Sequence, residues 1–343
     1  MIKYSYKNDY SEATHPQVLS DLTNLGNIQF EGYGLDEYSL KAENMIRIKI
    51  KSHTSDVHFI SGGTHANLTV LSSVLRPHEA VIAPSTGHIS VHETGAIEAT
   101  GHKICTREGF NGKLSVTDIQ SVLDEHGDDE HMVKPRLVYI SLTTECGTVY
   151  TKSELTQISE FCRSNDLYLY IDGARLGAAV NSDDCDLDYP DIAALSDAFF
   201  IGGTKNGALF GEAIVISNEQ IKKDFRYILK QRGGLLAKTA IIGTQFCTLF
   251  TDGLYDKLAK HSNQTAKKLA DGIKKAGYEF LFPVQSNIII PLFPHETVKK
   301  LLENYAFYEF KNFADRTAVR LVTSWAAPET AVSDFINDLN SIS

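Results

Sequence analysis

Leu167-Tyr168-Leu169-Tyr170-Ile171-Asp172-Gly173-Ala174-Arg175 sets an acid at the end of an apolar run and follows it with glycine. An apolar run of this length, closed by a turn signal, reads as a buried strand. Ala198-Phe199-Phe200-Ile201-Gly202-Gly203-Thr204-Lys205-Asn206-Gly207 repeats the arrangement, with Lys205 standing 33 residues after Asp172. The helix-period stretch Lys152–Ser164 precedes the first of these strands, and Leu137–Leu142 is a further apolar strand before it. Strands alternating with helices predict an α/β fold with a mostly parallel sheet, whose functional groups lie at strand C-terminal ends.

Working outward, Val57–Ile60 reads as a strand leading through Ser61-Gly62-Gly63-Thr64 into a helix from His65 to Leu75. Ala80–Ala83 is a strand, a helix is expected from Ser90 into Glu98, and Ala213–Ile216 is another strand, all spaced as successive βα units. After Gly243 the texture changes to a long helical stretch around Asp256–Ala276, then Asn287–Pro291, Thr297–Asn304, Val319–Val322 and a final helix from Glu329. This predicts a large domain over residues 1–243 and a smaller α+β domain over 244–343, packed closely because no Pro/Gly/Ser-rich linker separates them.

Composition narrows the partners. The 343 residues carry 43 Asp plus Glu against 33 Lys plus Arg, a net charge of −10, the wrong sign for wrapping nucleic acid or anionic lipid. No stretch approaches the roughly 18 apolar residues of a membrane span. The five cysteines are odd in number and never spaced C-x-x-C, so no metal is expected and a cytoplasmic protein with reduced thiols is.

Asp172 alone reads equally as a helix N-cap, and Lys205 alone as a turn lysine on the surface. Together, each at a strand end, they can face one crevice. That pairing suits pyridoxal 5'-phosphate (PLP): the lysine amine forms a Schiff base and the carboxylate keeps the ring nitrogen protonated. Ser61-Gly62-Gly63-Thr64 at a helix start supplies backbone donors for a phosphate. His88, just after the Ala80–Ala83 strand, is placed where an imidazole could stack on a pyridine ring.

Phe59–Asn67 (FISGGTHAN), Gly87–Ala96 (GHISVHETGA), Tyr170–Gly177 (YIDGARLG) and Gly202–Gly207 (GGTKNG) follow one another in an order that resembles one family. It is the low-specificity threonine aldolase and phenylserine aldolase group, β-eliminating-lyase-type enzymes of the fold-type-I PLP class. The resemblance implies that Lys205 is the Schiff-base lysine, Asp172 the ring-nitrogen partner and His88 the stacking imidazole. Gly63 and Thr64 resemble the phosphate cup, with Thr204 also on the cofactor. Arg175 matches an arginine between the cofactor's ring oxygen and the substrate carboxylate, and Arg320 matches one that holds that carboxylate. Asn8 stands where the family usually has a serine near the carboxylate, and Lys238 where a partner subunit sends a basic residue to the phosphate.

The resemblance further implies a homodimer or homotetramer with shared active sites, and cleavage of an L-β-hydroxy-α-amino acid of threonine, allo-threonine or phenylserine type to glycine and an aldehyde. β-Elimination of the tyrosine phenol-lyase or tryptophanase type, transamination, and PLP binding without turnover are the alternatives. Thr143-Thr144-Glu145-Cys146 replaces a histidine common in threonine aldolases, His65 a methionine, and Tyr10-Ser11-Glu12 a Thr-Val-Thr. His88, Glu145 and a phosphate-bound water are the candidates for taking the β-hydroxyl proton.

Overall fold

The computed structural model describes residues 2–342. Its centre is a seven-stranded sheet in the spatial order Asp56–Ile60, Glu212–Ile216, Ala198–Gly202, Tyr168–Asp172, Lys134–Ser141, Glu79–Pro84, Ile104–Arg107. The strands run parallel except Glu212–Ile216, which is antiparallel to both neighbours. The expected run of βα units therefore ends one strand early. Residues 203–211, which join Ala198–Gly202 to Glu212–Ile216, contain no helix and are too short for a parallel crossover, so the chain turns straight back.

Helices cover both faces, which is why the central strands are apolar throughout. Side chains alternate between two cores: Val138, Ile140, Phe199 and Ile201 point to one, while Leu137, Tyr139, Ala198 and Phe200 point to the other. Lys152–Ser164 forms as read, started by a capping box between Thr151 and Glu154. The helix expected from Ser90 into Glu98 is instead one turn, His88–Val91, followed by a short 3-10 turn at Glu98–Thr100. Thr94 and Gly95 adopt left-handed φ values of 53° and 71°, which break the helix and fold Glu93 back toward His88.

The C-terminal lobe packs Leu254–Lys275 and Glu329–Ile342 against the antiparallel strands Leu292–Pro294, Arg316–Val322 and Tyr308–Asn312. Ile288–Ile289 pairs with the other end of Arg316–Val322. The division read after residue 243 falls inside a continuous helix, Ala240–Phe250, which packs on Glu37–Lys49 of the large lobe. The N-terminal strand Tyr4–Ser5 pairs in parallel with Tyr305–Ala306, and Tyr6 lies in the C-terminal core against Phe335. From there the chain crosses to the large lobe, carrying residues 8–12 past the ends of the central strands.

Candidate active site

Tyr168–Asp172 and Ala198–Gly202 are neighbours in the sheet, and their C-terminal turns touch: Gly202 N–H donates to Gly173 O at 3.0 Å. The approach requires glycine, since a Cβ on Gly173 would stand 1.8 Å from Phe200 O and one on Gly202 2.3 Å from Ala174 O. Asp172 and the Lys205 loop are thereby set side by side.

Asp172 is buried and does not cap a helix, because the following helix, Leu176–Val180, has Arg175 at its N-cap. Its Oδ2 accepts from Tyr139 Oη at 2.7 Å and Asn67 Nδ2 at 3.0 Å, and its Oδ1 from Ala174 N at 3.0 Å. An ionised carboxylate offers about four lone-pair sites, so these donors leave capacity for one more. Burial and the Asp172 charge push the Tyr139 hydroxyl well above the usual tyrosine range, which keeps it a donor.

Lys205 is partly buried, with Nζ 5.9 Å from the centre of the Tyr10 ring. Burial, with Arg175 beside it, holds its ammonium below the usual lysine range, as an amine that must act as a nucleophile requires. Beneath its loop lies Glu212, a buried acid that the sequence reading passed over. Glu212 Oε2 accepts from Gly203 N at 2.6 Å, and Oε1 from Thr204 Oγ1 at 2.8 Å. Burial raises its carboxyl to about 7. The Thr204 hydroxyl also accepts from Gly211 N at 3.0 Å, so it braces the lysine loop.

Gly63 opens the helix Gly63–Val74, and Thr64 follows in its first turn, where backbone N–H groups lack intrahelical partners. A Cβ on Gly62 would meet nothing within 4 Å, so the space before this helix is open. His65 ties the turn down, Nδ1 to Ser61 Oγ at 3.0 Å and Nε2 to Arg232 O at 3.0 Å. Lys238 is exposed, just before Ala240–Phe250.

Arg175 is mostly buried and bound at two points by Asp9, Nε to Oδ2 at 2.7 Å and Nη2 to Oδ1 at 2.9 Å. Burial alone would push the Asp9 carboxyl up, but Arg175, Lys205 and the bond from Asn287 Nδ2 hold it below the usual range. Asp9 thus brings a side chain of the N-terminal segment into the site, next to Tyr10 beside Lys205. Its neighbour Asn8 uses Oδ1 on its own turn, accepting from Tyr10 N and Ser11 Oγ.

The side chain of Arg320, on Arg316–Val322, makes no hydrogen bond or ion pair among the described residues. Burial and the nearby Arg175 push its guanidinium down to about 10, and Asp9, Glu145 and Tyr10 are the charged or ionisable groups that offset this. Arg320 is partly shielded from water, and an unpaired guanidinium so placed is costly unless an anion joins it.

His88 Nδ1 lies 2.7 Å from Glu93 Oε1, and its backbone N donates to Glu145 Oε1 at 2.9 Å. Glu145 also accepts from Ser141 Oγ at 2.7 Å, while its Oε2 is buried and unpartnered. Burial, and Asp172 nearby, raise the Glu145 carboxyl above its ordinary range. Asn67, Glu93, Asp9, Tyr139 and Glu212 are site residues that sequence reasoning left unassigned. Asn67 and Glu93 stood inside quoted motifs, and their spacing from Gly63 and His88 was the available signal.

The donor set fits PLP: a glycine-opened helix start for its phosphate, a carboxylate with spare acceptor capacity for its ring nitrogen, and a lysine with depressed basicity. Fold and site together define a PLP-dependent enzyme of fold type I. The chain belongs to the beta-eliminating lyase family, which it matches over residues 27–293, and is a PLP-dependent lyase. It is 33% identical over 313 residues to the low specificity L-threonine aldolase of Pseudomonas sp. (strain NCIMB 10558), covering 90% of this chain and 89% of that one. A solved structure of Leishmania major threonine aldolase superposes with a TM-score of 0.97 at 45% identity, covering 99% of this chain and 100% of that one. Aspartate aminotransferase of Thermotoga maritima, at 15% identity, covers 99% of this chain and 92% of that one with a TM-score of 0.77, a likeness of fold alone.

Proposed function

We propose that the protein cleaves the Cα–Cβ bond of L-β-hydroxy-α-amino acids of threonine, allo-threonine or phenylserine type, releasing glycine and an aldehyde. The observation that carries this reading is Arg320, a largely buried guanidinium without an acid partner, set near Arg175, which in turn lies beside Lys205. An α-carboxylate supplies what Arg320 lacks, and a planar fork holds it in a fixed orientation. The aldolases of Pseudomonas and Leishmania major support the choice of reaction.

When bound, PLP supplies a conjugated, positively charged ring that draws electrons from whichever Cα bond stands perpendicular to it. Lys205 would be the residue of attachment, Asp172 would hold a proton on the ring nitrogen, and Gly63 and Thr64 would receive the phosphate, while Thr204 braces the lysine loop beside the cofactor. Arg320 clamps the carboxylate so that the Cα–Cβ bond is the one aligned. Arg175 lines the same pocket but spends Nε and Nη2 on Asp9, leaving Nη1 for substrate or cofactor. His88 flanks the ring and takes the β-hydroxyl proton. Tyr10, half exposed beside Lys205, supplies an aromatic wall for the substrate's side chain.

The same reading includes a cytoplasmic homodimer or homotetramer in which Lys238 serves the neighbouring subunit's phosphate turn. Its support is the exposure of Lys238 together with the exposed apolar side chains Tyr33, Leu35 and Tyr227.

The test is the product mixture from holoenzyme incubated with a panel of amino acids. Phenylserine or allo-threonine should yield glycine and benzaldehyde or acetaldehyde in equal amounts. Pyruvate and ammonia from serine, tyrosine or tryptophan would instead identify β-elimination, and a keto acid that needs an added amino acceptor would identify transamination.

A further inference from the structure

His88 is gripped from two sides. Its backbone N–H donates to Glu145, and its Nδ1 faces Glu93 Oε1 at 2.7 Å, brought there by the turn through Thr94 and Gly95. The Glu93 side chain is fully buried, and its Oε2 has no partner. The Oε1 that meets His88 also accepts from Asn67 Nδ2 at 2.7 Å, and the same amide nitrogen donates to Asp172 Oδ2 at 3.0 Å.

The orientation of Asn67 is fixed by chemistry. Both carboxylates are acceptors, so the NH2 must face them, and the amide oxygen accepts from Tyr170 Oη at 3.0 Å. Burial, with Asp172 and Glu93 nearby, drives the Tyr170 hydroxyl far above its usual range, so it remains the donor in that pair. One amide thus ties the Glu93–His88 pair to Asp172.

We propose that Glu93 is a positioning residue that sets the tautomer of His88, holding the proton on Nδ1 and leaving Nε2 bare as the base. Were Nδ1 bare, two acceptors would face each other at 2.7 Å inside the protein, an arrangement that costs the desolvation of both. Nε2 has no hydrogen bond within the described residues. In the cleavage, the β-hydroxyl proton passes to Nε2 and the O–H pair becomes the second C–O bond of the aldehyde. The Cα–Cβ pair would be accepted by bound PLP, and the imidazolium that results would be neutralised by Glu93. Glu93, Glu145 and His92, whose ring lies 5.5 Å away, stand around this imidazole, with Asp172 behind Asn67 and with Arg320 and Lys205 acting on the neighbouring His92.

The part that concerns the reaction rests on the aldolase reading, whereas the tautomer does not. Holoenzyme labelled with [15N]histidine, its His88 signals assigned by their absence in His88→Phe, should show Nδ1 protonated and Nε2 bare. Glu93→Ala should shift this balance toward Nε2–H. Glu93→Gln, which keeps the volume and removes the charge, should lower kcat by about 10–100-fold with KM and cofactor absorption little changed, and Glu93→Asp should recover part of the loss. A wild-type Nε2–H tautomer, or nitrogen shifts and kcat left unchanged in Glu93→Ala, would overturn the assignment. If no β-hydroxy amino acid yields glycine, the functional reading fails while the nitrogen shifts still decide the role of Glu93.

Discussion

The guanidinium of Arg175 and the carboxylate of Asp9 form a two-point pair at 2.7 and 2.9 Å between residues 166 positions apart in the chain. Asp9 is buried and Arg175 nearly so, which binds the N-terminal segment into the site through a charge pair largely shielded from water. Removing one partner from such a pair leaves the other uncompensated.

Asp9→Asn should therefore destabilise the protein by about 3–5 kcal/mol, read as a fall in the urea midpoint. The folded carboxyl is held below its ordinary range, so its stabilisation is present above the unfolded pKa of about 3.9 and is lost as pH falls through the folded value. The gap between wild type and variant should narrow in that acid window. A variant as stable as wild type at pH 7 would show that Arg175 does not depend on Asp9.

Lys205→Ala should abolish the visible absorption of lysine-bound cofactor and the adduct that borohydride fixes on the chain. The motivation is the lysine's depressed basicity within a loop braced by Glu212. A reducible adduct on another lysine, with normal turnover, would remove Lys205 from the role.

Asp172→Asn must turn an NH2 toward a donor, because Tyr139, Asn67 and Ala174 all donate to this carboxylate. The mismatch should cost about 1–3 kcal/mol of stability. On the proposed role of Asp172 as the partner of the ring nitrogen, loss of its charge should lower kcat by roughly 100-fold or more with cofactor saturating. Near wild-type turnover under saturation would confine Asp172 to a structural role.

The two strands that end at Asp172 and at Gly202, three residues before Lys205, were legible because an apolar run followed by glycine is a local signal, and each ran to within one residue of its expected end. His88 and the glycine-opened helix were legible for the same reason. Asp9, Asn67 and Glu93 were not, since what makes each one part of the site is a partner supplied by a remote element. The direction of Glu212–Ile216 was hidden too, as an apolar run carries no sign of parallel or antiparallel pairing. The helix past Ser90 failed on Thr94, whose left-handed backbone no propensity for threonine anticipates.

Arg320→Leu should leave the absorption of lysine-bound cofactor intact while kcat/KM falls about 10–150-fold, the worth of one charge-assisted pair of about 1.5–3 kcal/mol. Because Arg320 has no protein partner to orphan, the variant should be no less stable than wild type. Unchanged kcat/KM in a cofactor-loaded variant would mean that another group binds the carboxylate.

His58 gives a pH dependence away from the reacting groups. It lies on Asp56–Ile60 with its ring 4.9 Å from Phe225 and its Nε2 buried and unpartnered. Burial, reinforced by Arg226 and Arg47, pushes the imidazolium down to about 4. In the unfolded chain the value is about 6.5, so between these limits the unfolded state takes up a proton that the native state refuses. Stability attributable to this residue is full above about pH 6.5, falls as pH drops through the window, and reaches its lowest level near pH 4. At pH 5 the loss relative to pH 7.5 should be about 2 kcal/mol. His58→Phe, which has no proton to gain, should lose less stability than wild type over that interval by the same amount. Urea midpoints of both proteins at the two pH values measure the difference, since every other titrating group is common to the pair. Parallel losses would mean that His58 accepts its proton in the folded state as readily as in the unfolded one.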